Sequence, residues 1–315
     1  MSSRASPWVL AAGAIACVVW AVPTAVALVA GIALALVLAD EEAGLLGARM
    51  AQPLLKISVV GLGAGMNLGV VFRVGAQGVG YTVVSIGLTL AAGLWLGRRM
   101  RLQPDPALLI SAGTAICGGS AIAAVAGVIK PKPHDITVAL TTVFLLNAVA
   151  LLVFPGIGHA LGFSERQFGL WAALAIHDTS SVVGAALSYG HEALNVATTV
   201  KLTRALWIVP VAIAIGLWRG KRPDAGPRHL PVPLFIVGFI ATAALFTYFA
   251  PLASWRQPVT TAAQRLFAVT LFLVGCGFSR AALRNVGIRP LVVGVALWIG
   301  IAVATAAALS AGWIR

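Results

Sequence analysis

The chain has 315 residues, of which 60% are hydrophobic and 10% are charged, and its mean hydropathy is +0.97. This composition excludes a soluble globular protein and predicts an all-α, polytopic bundle of transmembrane helices. The formal net charge of +13 would suit a nucleic-acid partner, but the basic residues lie in short loops between apolar runs. That distribution is typical of the positive-inside rule, so we expect the lipid bilayer and no nucleic acid as a partner.

Apolar runs follow one another along the whole chain and predict about 10–11 helices, which form one integral membrane domain over residues 1–315. The runs cover residues 8–22, 23–39, 51–70, 78–97, 106–129, 135–155, 166–188, 192–218, 231–250, 262–279 and 290–312. Arg4 before the first run resembles the start of a signal peptide. The next run begins at once from Pro23, however, which favours a first transmembrane helix.

The basic residues of the loops predict the orientation. If every run crosses the membrane, thirteen basic residues lie on one side and six on the other. If the runs 106–129 and 166–188 re-enter instead, the division becomes fourteen to five. Both arrangements place the N-terminus in the cytoplasm and the C-terminus outside. Charge therefore predicts the orientation but does not decide whether these two runs cross.

The run 106–129 contains a break, because its centre reads Gly113-Thr114-Ala115-Ile116-Cys117-Gly118-Gly119-Ser120. A break at membrane depth frees backbone N–H and C=O groups that lipid cannot satisfy. Interrupted apolar segments are the best sequence indication of a transporter's binding site. We therefore predict that this break binds substrate, through Thr114, Cys117, Gly118, Gly119 and Ser120.

The run 166–188 holds five consecutive polar residues, His177-Asp178-Thr179-Ser180-Ser181. Ionisable residues inside a membrane span indicate function by default. The hydroxyls of Thr179, Ser180 and Ser181 suit the start of a half-helix, whose amides favour an anion, so we predict that they bind substrate. Asp178 opposes simple anion binding, so we assign proton or ion coupling to His177 and Asp178. The alternative is a structural His177–Asp178 pair that stabilises the break.

Lys201 and Arg204 lie within the apolar run 192–218 and, three residues apart, share one helix face. They need a counter-charge from Asp178, from an anionic substrate or from both, and we predict that both cations bind substrate. The alternative is that they snorkel to the membrane interface. Asn67 and Asn147 are secondary candidates, and an interhelical hydrogen bond in tight packing explains them equally well.

Two internal similarities predict inverted repeats. At an offset of 212, residues 62–67 match residues 274–279. At an offset of 60, residues 116–122 match residues 176–182, and an upstream acid matches as well: Asp105 and Glu165. The second pair would be parallel if both runs cross the membrane and inverted if both re-enter.

The motifs resemble the YeiH-type family of bacterial inner-membrane proteins, which are described as sulfate exporters. The resemblance is carried by Gly113–Ser120, His177-Asp178 with Val182–Ala185, Lys201–Arg204 leading to Pro210, and Gly277 leading to Asn285–Leu291. It covers essentially the whole chain. It implies a secondary transporter of the cation/proton antiporter and bile-acid symporter superfamily, with inverted repeats, crossed broken helices and a homodimeric scaffold. Glu is common in the family where this chain has Asp178, whose carboxylate has a shorter reach.

The sequence thus predicts a secondary active transporter of a small anion, such as sulfate or sulfite, coupled to protons or Na⁺ in the bacterial inner membrane. A Na⁺/H⁺-type cation antiporter is the first alternative. A membrane-embedded enzyme is less favoured, because the sequence has no HExxH zinc site, no Asp-rich magnesium motif and no sizeable extramembrane domain. We expect no enzymatic activity, no cofactor and no metal.

Overall fold

The computed structural model of the protein describes residues 6–38, 41–219, 234–278 and 287–314, which form helices and turns without a β-strand. This confirms the all-α fold class. The helices are α1 (Ser6–Val19), α2 (Thr24–Leu38), α3 (Glu41–Leu62), α4 (Leu68–Arg99), α5 (Pro104–Ala115), α6 (Gly119–Ile129), α7 (Pro133–Ala160), α8 (Glu165–Ala175), α9 (Thr179–Tyr189), α10 (His191–Ala205), α11 (Ile208–Trp218), α12 (Leu234–Tyr248), α13 (Arg256–Cys276) and α14 (Ile288–Ser310). Several residues of the loops and motifs above lie outside the described residues: Arg4, Lys221, Arg222, Arg228, Ser279, Arg280, Arg284, Asn285, Val286 and Arg315.

Each predicted apolar run coincides with one helix or with two consecutive helices. Among the described residues, five stretches are long and apolar enough to cross a membrane, namely Gly44–Gly65, Pro133–Ala160, His191–Trp218, Ala250–Cys276 and Ile288–Ser310. The two predicted breaks separate α5 from α6 and α8 from α9. The prediction of a polytopic bundle with two interrupted helices is therefore confirmed.

The chain forms two compact units, and the first comprises residues 1–72 and 233–283. In this unit α13 packs against α1, α2 and α3. Gly31 of α2 lies directly against the carbonyl of Phe272, and Gly275 of α13 against the carbonyl of Leu28. Any side chain there would collide with backbone, so the glycines allow the close helix packing that membrane helices favour. The similarity at offset 212 involves the ends of α3 and α13 and stays a prediction.

The second unit comprises residues 73–232 and 284–315 and contains both interrupted helices. Each interrupted pair is followed by a span of 28 residues, first Pro133–Ala160 and then His191–Trp218. The unit is thus built from two consecutive segments of similar design. The prediction of a single domain over residues 1–315 stays a prediction.

The two ends of the α8–α9 pair lie side by side. Glu165, at the start of α8, accepts hydrogen bonds from the backbone N–H groups of Glu192 (2.7 Å) and Ala193 (3.4 Å), which follow directly after α9. The ring of Phe168 stacks on that of Tyr189, with the centroids 3.8 Å apart. A continuous helix over these residues would separate its ends by about 36 Å. The α8–α9 pair is therefore a re-entrant hairpin, which we call the second hairpin.

The α5–α6 pair also turns back on itself. Asp105, at the start of α5, forms an ion pair of 3.1 Å with Arg219, directly after α11. Val128, at the end of α6, packs against Gly216, where an added β-carbon would lie 2.6 Å from Val128 Cγ1. Residues 216 and 219 are about one helical turn apart, so both ends of the pair meet the same end of α11. We call this re-entrant pair the first hairpin.

The two hairpins enter from opposite ends of the α10–α11 segment, the first beside the end of α11 and the second beside the start of α10. Their helix boundaries keep the offset of 60: Ala115 and Ala175 end α5 and α8, and Gly119 and Thr179 begin α6 and α9. This confirms the repeat and makes it inverted. Two opposed hairpins thus replace the crossed broken helices that the resemblance implied.

Candidate functional site

The tips of the two hairpins meet. The first tip is residues 116–118 and the second tip is residues 176–178. A β-carbon added to Gly118 would lie 3.3 Å from Cβ of Asp178. The backbone φ of Gly118 is +68°, in the left-handed region that favours glycine. Gly118 therefore permits both the turn of the first tip and the close approach of the second. The predicted substrate break and the predicted coupling carboxylate are brought together.

Helix α7 passes both tips and fixes one against the other. Asn147 accepts, through Oδ1, hydrogen bonds from the backbone N–H groups of His177 (3.1 Å) and Asp178 (3.3 Å). One turn earlier, the side chain of Val143 lies 3.5 Å from the β-carbon position of Gly118. Residues four apart share a helix face, so one face of α7 contacts both tips. Asn147 thus makes hydrogen bonds outside its own helix, and the donors are two residues of the predicted site, His177 and Asp178.

Asp178 caps the start of α9. Its Oδ2 accepts hydrogen bonds from the N–H (3.1 Å) and the hydroxyl (3.2 Å) of Ser181, and from the hydroxyl of Ser180. A carboxylate at a helix N-terminus is stabilised by the amides and the helix dipole. Asp178 is half-buried, whereas Thr179, Ser180 and Ser181 are buried. Both serine hydroxyls donate to Asp178 in this structure, so their binding of substrate stays a prediction.

Lys201 stabilises the end of α8. Its side chain is 0% exposed, and Nζ donates to the carbonyls of Ile176 (2.6 Å) and Ala173 (3.3 Å). The last carbonyls of a helix have no intrahelical partner and carry partial negative charge, which an ammonium group satisfies. The bonds to the second tip place this charge deep in the unit, so the snorkelling alternative does not describe Lys201.

Arg204 joins the two hairpins. It is 0% exposed, and its Nη1 donates to the carbonyls of Ala173 (3.0 Å) and Leu174 (2.8 Å) of α8. Its Nη2 donates to the carbonyl of Ala115, the last residue of α5. The planar guanidinium has several donors in fixed directions and can therefore bind two helix ends at once. Arg204 is a direct link between the last turns of α5 and α8, which lead into the two tips.

The charges at the tips do not balance. In the part of the chain that the structure describes, neither Lys201 nor Arg204 forms an ion pair with a carboxylate. With both basic side chains protonated, two buried cations stand against one half-buried carboxylate, that of Asp178, an excess of one positive charge. Helix-end carbonyls offset this charge only through partial charges, and a buried charge is costly unless it is compensated. The site suits an additional anion.

Several buried polar atoms around the tips have no hydrogen-bond partner. They are Nδ1 and Nε2 of His177, Nδ2 of Asn147, Nε of Arg204, and the hydroxyls of Thr114, Thr198 and Thr199. Buried polar groups normally have partners, and exceptions are often explained by water or a ligand. The ring of His177 is 1% exposed and forms no hydrogen bond with Asp178, so the alternative of a structural His177–Asp178 pair does not describe the structure.

The remaining predicted residues lie at different depths. Cys117 is a buried free thiol, Gly119 is half-buried and Ser120 is exposed at the start of α6, a helix end that no side chain caps. Asn67 belongs to the first unit, where its Oδ1 accepts a hydrogen bond of 2.9 Å from the N–H of Gly69. Asn67 thus caps the start of α4, and its assignment to the site stays a prediction.

Sequence reasoning missed the partners of the cations, which are the backbone carbonyls of Ala115, Ala173, Leu174 and Ile176. Every residue has a carbonyl, so residue identity carries no signal for them. The only available signal was the position of each break, because a helix that ends inside a membrane leaves carbonyls that need donors.

The chain matches the family described as conserved hypothetical protein 698 over residues 9–294. The chain belongs to this family. It is 52% identical to a UPF0324 membrane protein of Bdellovibrio bacteriovorus over 93% of this chain and 91% of that protein. It is 48% identical to a UPF0324 membrane protein of Geobacter sulfurreducens, over 93% of this chain and 92% of that protein. No solved structure matches the chain.

The family membership confirms the resemblance to the YeiH-type family. The relatives are named as membrane proteins, which agrees with the apolar helices of this chain and establishes a membrane protein. Their names state neither a substrate nor an activity.

Proposed function

We propose that the protein is a secondary active transporter of a small anion of the sulfate or sulfite type, coupled to protons or ions. The observation that carries the proposal is that two buried basic side chains, Lys201 and Arg204, lie with a single carboxylate, that of Asp178, where the two hairpins meet. An anion bound there supplies the missing negative charge. Discontinuous helices that meet near the bilayer midplane are a common design of secondary transporter sites, which supports transport over catalysis.

The same charges suggest how a proton is coupled. With Asp178 ionised, the excess is one positive charge, and with Asp178 protonated it is two. A dianion is therefore bound best when Asp178 carries a proton. Because coupling between two ligands is reciprocal, a bound dianion favours protonation of Asp178 to the same degree. Proton and dianion then move together.

The proposed location is the bacterial inner membrane, with the N-terminus in the cytoplasm and the C-terminus outside. Because both interrupted pairs re-enter, the division of basic residues is fourteen to five, the more asymmetric of the two counts. Asp105 and Arg219 at the base of the first hairpin, together with Lys130 and Lys132, then face the cytoplasm. Further parts of the proposal are a homodimer and the absence of enzymatic activity.

Transport by purified protein tests the proposal. Proteoliposomes are loaded with labelled sulfate, and separately with labelled sulfite, and efflux is followed with and without a pH gradient. We expect efflux that depends on the gradient, and an efflux at least about tenfold slower for Lys201→Met, which removes one buried positive charge. Wild-type vesicles that release neither anion faster than protein-free vesicles would contradict the proposal.

The half-buried carboxylate of Asp178 favours a second candidate, a Na⁺/H⁺-type cation antiporter. The same vesicles without sulfate, loaded with a pH-sensitive dye and given a Na⁺ gradient, separate the two candidates. Proton movement driven by Na⁺ alone favours the antiporter, whereas movement that requires sulfate favours the anion transporter.

A further inference from the structure

The carboxamide of Asn147 has a fixed orientation. Two backbone N–H donors, from His177 and Asp178, point at one of its terminal atoms, and only an oxygen accepts from both. The other terminal atom is therefore Nδ2, which carries two N–H donors. Asn147 is 2% exposed and Nδ2 has no partner. A buried, immobilised donor pair is thus left free directly beside the second tip.

The second feature is the ring of His177, one of the two residues whose backbone N–H groups bond to Asn147. Asn147 holds the backbone N–H of His177, while both ring nitrogens are buried without a partner. At least one ring nitrogen carries a hydrogen in every protonation state, so the ring also provides a free donor. The second tip therefore combines two neutral side chains with unused donors. Side chains that served only packing would be expected to satisfy these atoms within the protein.

The two cations, in contrast, are bonded mainly to backbone carbonyls of the hairpins. Nζ of Lys201 donates to two carbonyls, and both terminal nitrogens of Arg204 donate to carbonyls of the hairpins. Contact through these atoms would compete with the carbonyls, while Nε of Arg204 is buried without a partner. Their charges still act on a ligand at the tips, because electrostatic attraction in a buried site extends beyond contact distance.

We infer that the subsite for the anion is formed by neutral donors, Nδ2 of Asn147 and the imidazole of His177, while Lys201 and Arg204 act on the anion chiefly through their charge. This inference rests on the proposed function and specifies its ligand chemistry. The ligand is a small oxyanion, whose oxygens accept several hydrogen bonds at once. The uncapped start of α6, where Phe144 of α7 lies 2.9 Å from the β-carbon position of Gly119, adds a positive helix end on the same side of α7.

Two substitutions in the full-length protein test the inference, with labelled sulfate as the probe. Asn147→Asp keeps an oxygen for the two backbone amides but replaces the free donors with an acceptor. His177→Phe removes the ring donors and keeps a ring of similar size. Because the His177 ring nitrogens have no protein partner, His177→Phe is expected to unfold at the wild-type temperature or above. We expect both variants to bind sulfate at least about tenfold more weakly than the wild type.

Thr142→Val is the matched control on α7, because Thr142 is buried and its hydroxyl bonds only to Val138 within its own helix, at 2.8 Å. It is expected to bind and move sulfate as the wild type does. Wild-type affinity in His177→Phe overturns the inference, whatever the behaviour of Asn147→Asp. An equal loss in Thr142→Val also overturns it, because the effect then belongs to the packing of α7. Wild-type protein that binds neither sulfate nor sulfite overturns the proposed function as well.

Discussion

The two hairpins of the second unit share one design but differ in chemistry. In each, a helix ends at a residue that the offset of 60 relates, Ala115 or Ala175, and a second helix begins directly after a tip of three residues. The first tip turns on Gly118, whose helix has no side-chain cap, whereas the second turns on Asp178, which caps its helix with a carboxylate. The comparison shows that two hairpins of the same backbone design can present different chemical groups at their tips. The first tip offers backbone and the second offers an ionisable group.

The two buried cations also differ in which hairpins they contact. Arg204 donates to the last carbonyls of both α5 and α8, while Lys201 donates only to the second hairpin. Both side chains come from α10, so a single helix satisfies the ends of two opposed half-helices. The excess positive charge of the site follows from this arrangement.

The largest expected effect comes from separating the hairpins. Arg204→Leu leaves the carbonyls of Ala115 and Leu174 without a donor and that of Ala173 with Lys201 alone, and it is expected to lower the free energy of unfolding by about 3 kcal/mol or more. Lys201→Met is the matched variant and should cost less, because it affects only the second hairpin. Thermal unfolding in detergent measures both. An equal loss in the two variants would show that Arg204 does not join the tips.

Gly118→Ala tests the turn of the first tip. The left-handed backbone at Gly118, with ψ of −126°, disfavours any side chain, and the new methyl group would press on Asp178. We expect a loss of about 1–3 kcal/mol of stability together with loss of sulfate transport. Gly127→Ala is the control, because Gly127 lies within α6 and an added β-carbon there would have no atom within 4 Å. If Gly118→Ala unfolds and transports as Gly127→Ala does, the close approach of the tips is not needed.

Asp178→Asn tests the role of the ionisable group in the second tip. Asparagine caps a helix about as well as aspartate, so the unfolding temperature is expected to change little. The amide cannot take up a proton, so sulfate transport should lose its dependence on the pH gradient. Asp178→Ala is the companion variant and should lose about 1 kcal/mol of stability through the missing cap. Sulfate uptake, measured from pH 5 to pH 8, tests this expectation. If Asp178→Asn keeps the pH profile of the wild type, the coupling group is another residue.

The smallest effects are expected at the bases of the hairpins. Glu165 binds two free backbone amides at the start of α10, so Glu165→Ala should cost about 1 kcal/mol. Asp105 and Arg219 form an ion pair with side chains 33% and 28% exposed, so Asp105→Asn should cost well below about 1 kcal/mol. Unfolding temperatures of the two variants, measured side by side, check the order. A larger loss of stability in Asp105→Asn than in Glu165→Ala would contradict this order.

Much of this architecture was predictable from sequence, because composition and local pattern decide it. Apolar runs located the helices, and the polar clusters at Gly113–Ser120 and His177–Ser181 located both breaks. The offset of 60 even paired Asp105 with Glu165, which the structure places at the bases of the two hairpins. Asn147 was found only as one of two equal candidates, since a lone asparagine in an apolar helix looks the same whether or not it touches a site.

The sequence by itself determined a membrane-embedded helical protein with two interrupted segments, because burial in lipid demands apolar runs and makes every polar interruption conspicuous. Only the tertiary structure decided that these segments re-enter from opposite ends, because loop charges favoured the same orientation for crossing and re-entry. It also decided that Lys201 and Arg204 bind backbone carbonyls rather than Asp178. The physical reason is that a cation needs only partial negative charge at hydrogen-bond distance, and which atoms lie there depends on how distant segments pack.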